Sequence, residues 1–190
     1  QHGFDVNVAG SEHGAPGSYF YPYTGKWTVP TTGSAVVKTT LPDGKIGEYL
    51  TDRLTNEAVA LIRQNRDNPF FLYFSHYAVH SPLQAKQSMI ARYEAIPDKE
   101  RQGQPAYAAM VESVDQSVGR VMETLSELGL ENNTMVIFTS DNGGLWKATD
   151  HAPLRANKGS HYEGGIRVPM IIKAPGISKR GSVNSVPVIT

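Results

Sequence analysis

Apolar residues recur at helical spacing in two long stretches of this chain and gather into short runs elsewhere. In "GEYLTDRLTNEAVALIRQN", Leu50, Leu54, Ala58 and Leu61-Ile62 fall three and four residues apart, which predicts an amphipathic helix. In "PAYAAMVESVDQSVGRVMETLSELGLENNT", Met110, Val111, Val114, Val118, Val121, Met122, Leu125 and Leu128 form one stripe. Gly129 follows where a helix-ending glycine belongs, so this is the clearest helix in the chain. A shorter helix is expected over residues 84–94. Residues 70–74, "FFLYF", are continuously apolar, as in a strand covered on both faces. Two further strands are expected over 135–139 and 168–172. Helix and strand then alternate, which predicts an α/β fold with a mostly parallel central sheet and helices on both faces. Residues 1–45 keep no period and are rich in glycine, proline and aromatics. The close set Tyr19, Phe20, Tyr21, Tyr23 and Trp27 argues for a long ordered surface loop rather than disorder.

Composition narrows the function classes. The chain has 190 residues, enough for a domain with a real core, and its 39% hydrophobic and 19% charged content is that of an ordinary globular protein. Lysine plus arginine equals aspartate plus glutamate at 18 each, and no basic cluster is longer than Lys179-Arg180, so nucleic acid is excluded as the expected partner. No apolar run is long enough to span a bilayer. The absence of cysteine excludes disulfides and thiolate metal sites but fixes no compartment. The chain starts at Gln1 without a signal-like stretch, and its end, "SVPVIT", reads as an element cut short. A fragment of a longer protein is expected, carrying part of an active site.

In an open α/β sheet, ligands sit beyond the carboxyl ends of the strands. Three polar groups fall there. Asp141-Asn142 follows the strand 135–139 and offers hard oxygens, which suit Ca²⁺ or Mg²⁺; the same residues with Gly143 also read as a plain turn. Gly143 and Gly144 let the backbone turn and leave space for a bound group. His80 leaves the run 70–74 on a loop closed by Pro82, with His76 four residues earlier. An imidazole there binds an anion or protonates a leaving group, or it merely caps a surface. Lys158 lies on a Gly-bearing loop and is either a solvated charge or a point charge aimed at a tetrahedral oxyanion. Arg155 offers the same chemistry, and Glu163 and Arg167 bracket Gly164-Gly165 as a possible pair. A hard-cation site, an imidazole and an ammonium together suit a sulfate or phosphate ester, whose developing charge they would neutralise.

Three blocks, "PFFLYFSHYAVHSP", "NNTMVIFTSDNGG" and "PLRANKGSHYEGGIRVPMIIKAPG", resemble blocks of the sulfatase family in the family's order. The opening "HGFDVNVAG" is also similar to the segment after that family's early active-site region. The resemblance runs over nearly the whole chain and implies an alkaline-phosphatase-like α/β fold with one calcium ion. It implies that Asp141 and Asn142 are the second pair of metal ligands. It makes His80 the histidine near the ester's leaving oxygen, and Lys158 the lysine that bridges sulfate and leaving group. The family's "PLRGGKG" stands here as "PLRANKG", with Ala156 and Asn157 in place of glycines. The family nucleophile, a cysteine or serine converted to formylglycine within Cys/Ser-x-Pro-x-Arg, has no counterpart in this chain. Neither do the first calcium-binding aspartates or the early lysine and histidine. Residues 1–190 are therefore expected to be the central part of one sulfatase catalytic domain, truncated at both ends and inactive alone. Half of the calcium ligands and the formylglycine would lie outside it. The expected substrate is a small-molecule or carbohydrate sulfate ester, and the resemblance implies an exported protein. Alternatives left open are a phosphodiesterase or phosphonate hydrolase of the same superfamily, a non-catalytic sulfated-glycan-binding domain, and a purely structural α/β domain.

Overall fold

The structure, a computed structural model, describes residues 3–29, 33–39, 41–176 and 181–188. His2, the Lys179-Arg180 pair and the Trp27 side chain lie outside what it describes. In chain order the elements are β1 (Thr24–Val29), β2 (Gly33–Lys38), α1 (Leu50–Gln64), α2 (Gln87–Glu94), α3 (Pro105–Glu127), β3 (Val136–Thr139), α4 (Glu163–Ile166) and β4 (Met170–Lys173).

Helix α1 buries Leu50, Leu54, Ala58 and Ile62, the stripe its spacing predicts. Helix α3 opens on Pro105, whose missing N–H costs nothing at that position. It closes in a Schellman motif. Gly129 takes φ +69°, its N–H bonds the Ser126 carbonyl at 3.0 Å, and the Leu130 N–H bonds that of Leu125 at 2.8 Å. The face α3 buries differs from the expected valine stripe. It is Ala109, Met110, Ser113, Ser117, Thr124 and Leu125, while Val111 is 46% exposed. Small and hydroxyl side chains lie along the contact with α1 and α2. Two of the hydroxyls are satisfied within the helix, Ser113 on the Ala109 carbonyl at 2.9 Å and Thr124 on that of Arg120 at 2.8 Å, and Ser117 meets Thr55 of α1.

The core gathers at the amino end of α1. Tyr19, Tyr23, Tyr49, Leu50, Met89 and Met110 are buried together, with the Tyr19 and Tyr49 rings stacked at 5.9 Å. The expected surface loop over 1–45 is thus partly core, and it carries the β1–β2 hairpin. Aromatic bulk explains this, since Tyr19 and Tyr23 bury large rings and still find partners for their hydroxyls. Tyr23 bonds the Glu48 carboxylate, and the Tyr19 hydroxyl lies 2.7 and 2.9 Å from the Tyr77 and His80 carbonyls.

The sheet expectation needs correction. Among the described residues, both ladders are antiparallel two-stranded ribbons, β1 with β2 and β3 with β4. A mostly parallel sheet with helices on both faces is not what they form, because the helices pack on one another rather than on either ribbon. Residues 70–74 form no ladder here, and Phe71 and Tyr73 are 78% and 70% exposed. The β3–β4 ribbon is not buried either: Ile137 of β3 and Ile171 and Ile172 of β4 are each more than half exposed. An apolar run signals a surface that can be covered; it does not supply the cover. No helix among the described residues is long and apolar enough to cross a membrane.

Candidate functional site

Asp141 and Asn142 follow β3 directly, as the sequence predicts, with Asp141 exposed and Asn142 half-buried. The Ser140 hydroxyl donates to the Asn142 carbonyl at 2.9 Å and holds the bend. From here the chain is zipped to the loop carrying Lys158. The Gly143 N–H donates to the Gly165 carbonyl at 2.9 Å, and the Lys158 N–H donates to the Gly144 carbonyl at 3.0 Å. The Gly164 N–H donates to the Arg155 carbonyl at 2.9 Å. Residues some twenty positions apart in the chain thereby share one loop cluster at the end of β3.

The glycines are explained by this packing rather than by room for a ligand. A Cβ on Gly143 would lie 1.9 Å from the Gly164 carbonyl oxygen, and one on Gly164 would lie 2.1 Å from that of Ala156. On Gly165 it would meet the Ser160 carbonyl at 2.2 Å, and on Gly144 the His151 Nε2 at 2.9 Å. The expected open approach behind Asp141-Asn142 is filled by the backbone of 164–165 and by His151. The two glycine pairs are the two halves of one backbone crossing. Ala156, in place of a family glycine, sits at φ +64°, a left-handed conformation that costs a non-glycine residue roughly 1–2 kcal/mol.

Lys158 is exposed, and among the described residues no carboxylate pairs with it. Arg155 is occupied differently, its guanidinium lying 3.8 Å from the Tyr162 ring centroid. Glu163 and Arg167 pair at 3.2 Å on the exposed side of α4, as their placement suggested.

His80 belongs to a second anchor. Its carbonyl takes the Tyr19 hydroxyl at 2.9 Å, and its Nδ1 lies 2.9 Å from the Ser81 carbonyl. A carbonyl can only accept, so Nδ1 carries a proton. The hydrogen bonds described for His80 hold its loop to the aromatic core, whereas those of Asn142, Gly143 and Lys158 hold the β3 end together.

Two histidines without a role in the sequence reading are placed by the structure. His76 is half-buried beside Phe74, with ring centroids 4.1 Å apart, and its Nε2 lies 3.3 Å from the Ser117 hydroxyl. Ser117 meets the Thr55 hydroxyl at 2.6 Å, and Thr55 donates to the Thr51 carbonyl at 2.6 Å. Each hydroxyl has one proton. Ser117 therefore donates to Thr55 and offers only lone pairs to His76, which puts the ring proton on Nε2. Nδ1 is then a buried lone pair without a partner, and burial pushes the His76 pKa down to about 4. His151, under Gly144, has a buried Nε2 likewise without a partner. Spacing does not reveal either; only the packing does.

Asp141 and Asn142 offer two oxygen ligands of the kind a hard cation prefers, so their chemistry fits calcium. Among the described residues, no group of three or more His, Asp or Glu side chains could hold a metal. Calcium takes six to eight oxygens, more than these two residues offer.

The sulfatase family profile matches residues 1–188. The chain belongs to the sulfatase family. A sulfatase of Formosa agariphila is 43% identical over 149 residues, covering 73% of this chain and 27% of that protein. Human N-acetylgalactosamine-6-sulfatase is 30% identical, covering 97% of this chain and 35% of its own. Among solved structures, Ps i-CgsB in complex with k-i-k-neocarrahexaose matches at 40% identity with a TM-score of 0.63, over 75% of this chain and 31% of that one. This sulfatase chain shares their alkaline-phosphatase-like α/β fold and spans about a third or less of the length of these relatives.

Proposed function

We propose that residues 1–190 are the central part of a sulfatase catalytic domain, and that the whole protein hydrolyses sulfate esters. The observation that carries this reading is the bond from the Lys158 N–H to the Gly144 carbonyl, which sets a lysine loop against the Asp141-Asn142 bend in a chain of this family. Asp141 and Asn142 would hold a calcium ion together with ligands from elsewhere in the protein, and the ion would supply positive charge to the sulfate oxygens. Lys158 presents a compact ammonium to the sulfate and the leaving oxygen, where charge grows as the ester bond breaks. As an imidazolium, with its ring oriented by the Nδ1–H bond to the Ser81 carbonyl, His80 gives the Nε2 proton to that leaving oxygen and remains as the neutral Nδ1–H ring. The nucleophile, a formylglycine by family likeness, lies outside these residues, so the 190-residue chain alone does not turn over. Carbohydrate sulfates are the favoured substrates, a reading supported by the neocarrahexaose held by a relative at 40% identity.

The test is Lys158→Ala in the whole protein, with kcat and KM measured on 4-nitrophenyl sulfate. Loss of one such electrostatic group lowers kcat by roughly 10²–10³. A near-normal kcat removes Lys158 from the site.

A further inference from the structure

His80 sits where the chain has no helix or ladder to fix it. Residues 71–86 belong to no named element, and His80 is half-buried. Its placement therefore depends on what grips the loop from outside. One bond is local, from the His80 N–H to the Tyr77 carbonyl at 2.9 Å. Others reach in from the aromatic core.

Tyr19 is fully buried, and its hydroxyl lies 2.7 Å from the Tyr77 carbonyl and 2.9 Å from that of His80. A phenol has one proton, so the two carbonyls share it and are drawn to one point. The backbone of the same residue grips the far end of the loop. The Tyr19 N–H donates to the Gln84 Oε1 at 2.8 Å, and the Ser18 hydroxyl donates to the same oxygen at 3.2 Å. Tyr49 closes the clamp, its hydroxyl donating to the Gln84 carbonyl at 2.9 Å from a ring stacked 5.9 Å from that of Tyr19. Tyr49 stands directly before α1, and the Leu50 N–H donates to the Tyr19 carbonyl at 2.8 Å, so both tyrosines are rooted at the start of that helix. Burial pushes the Tyr19 phenol up and that of Tyr49 up to about 12, so both stay protonated donors at neutral pH.

We propose that Tyr19 is a positioning residue for His80, its buried hydroxyl fixing the loop that presents the imidazole. The proposal rests on the leaving-group role given to His80 above. An acid helps only when its proton is within hydrogen-bond reach of the leaving oxygen, and a misplacement of about 1 Å costs up to roughly 10²-fold in rate. Tyr19→Phe removes the shared donor and keeps the ring and its stacking.

The test measures kcat/KM of the whole protein on phenyl sulfate and 4-nitrophenyl sulfate for wild type, Tyr19→Phe, His80→Ala and the double variant. Nitrophenolate is the better leaving group and needs little help from an acid, whereas phenolate depends on one. Tyr19→Phe should lower the phenyl sulfate value roughly tenfold more than the 4-nitrophenyl sulfate value, and should lower neither further in the His80→Ala background. An equal fall on both esters, or losses that multiply in the double variant, marks a merely structural tyrosine and overturns the proposal. Hydrogen exchange of the whole protein reads the clamp without turnover. Amides of residues 77–84 should exchange roughly tenfold faster in Tyr19→Phe, while those of α3 keep their rate. Unchanged exchange over 77–84 overturns the clamp. A wild type that cleaves neither ester, with the faster exchange still seen in Tyr19→Phe, defeats the sulfatase reading alone and supports the clamp. Should Tyr19→Phe not fold, Tyr49→Phe, which frees the same loop at Gln84, is read by the same outcomes.

Discussion

Acidification should destabilise this protein through His76. The residue is half-buried between Phe74 and Ser117, its Nε2–H is taken by Ser117, and its Nδ1 is buried and faces no acceptor. A second proton would place a charge and an unpaired N–H in the interior. The folded pKa is accordingly about 4 against an ordinary 6.5. Below pH 6.5 the unfolded chain takes up a proton that the folded one refuses until about pH 4. Stability is therefore complete above pH 6.5 and declines as pH falls through that window. The whole shift corresponds to about 3 kcal/mol, of which about 2 kcal/mol is lost by pH 5. That is a large share of the roughly 5–15 kcal/mol that stabilises a typical domain. The assay is urea unfolding at pH 7.5 and pH 5.0 for wild type and His76→Gln, whose amide can still donate to Ser117 but does not titrate. The wild-type midpoint should drop by roughly 1 M urea more than the variant's between the two pH values. All other titrating groups are common to both proteins, so equal drops would refute the argument.

Further outcomes follow from the loop cluster. Lys158→Arg should restore little of the turnover lost in Lys158→Ala, since a planar guanidinium does not replace a compact ammonium; kcat on an aryl sulfate measures it. Asp141→Ala in the whole protein should lower bound calcium and abolish calcium-dependent stabilisation, read by elemental analysis and by melting with and without the ion. Gly143→Ala should cost about 2 kcal/mol, because its Cβ would meet the Gly164 carbonyl at 1.9 Å, and the same change should reduce activity by parting the Asp141 and Lys158 loops. Gly119→Ala is the contrasting control. It lies inside α3 with nothing within 4 Å of the added methyl, and should raise stability by about 1 kcal/mol in the same unfolding assay.

Local chemistry was legible from the sequence. The spacing of Leu50, Leu54 and Ala58 determined α1 and its buried face, and Gly129 marked the end of α3, because helical period and helix ending depend on neighbours within a few residues. The order of "SDNGG" and "RANKGSHYEGG" likewise named Asp141, Asn142 and Lys158 as candidates, and the structure puts them on joined loops. Tertiary structure alone decided what lay beyond that range. Val136 pairs with Lys173 across 37 positions, and no property of either segment says whether its partner runs parallel or antiparallel. Tyr19 and Tyr23 look like loop aromatics until the Tyr77 carbonyl and the Glu48 carboxylate come within reach of their hydroxyls. The valines of α3 outrank its serines in hydropathy, yet Ser113 and Ser117 are buried because close packing against α1 and α2 favours small side chains with satisfied hydroxyls. The glycine pairs show the same limit. A sequence can say that Gly143 and Gly165 carry no side chain, but what fills the space left behind is another part of the backbone, and its position is a property of the folded chain.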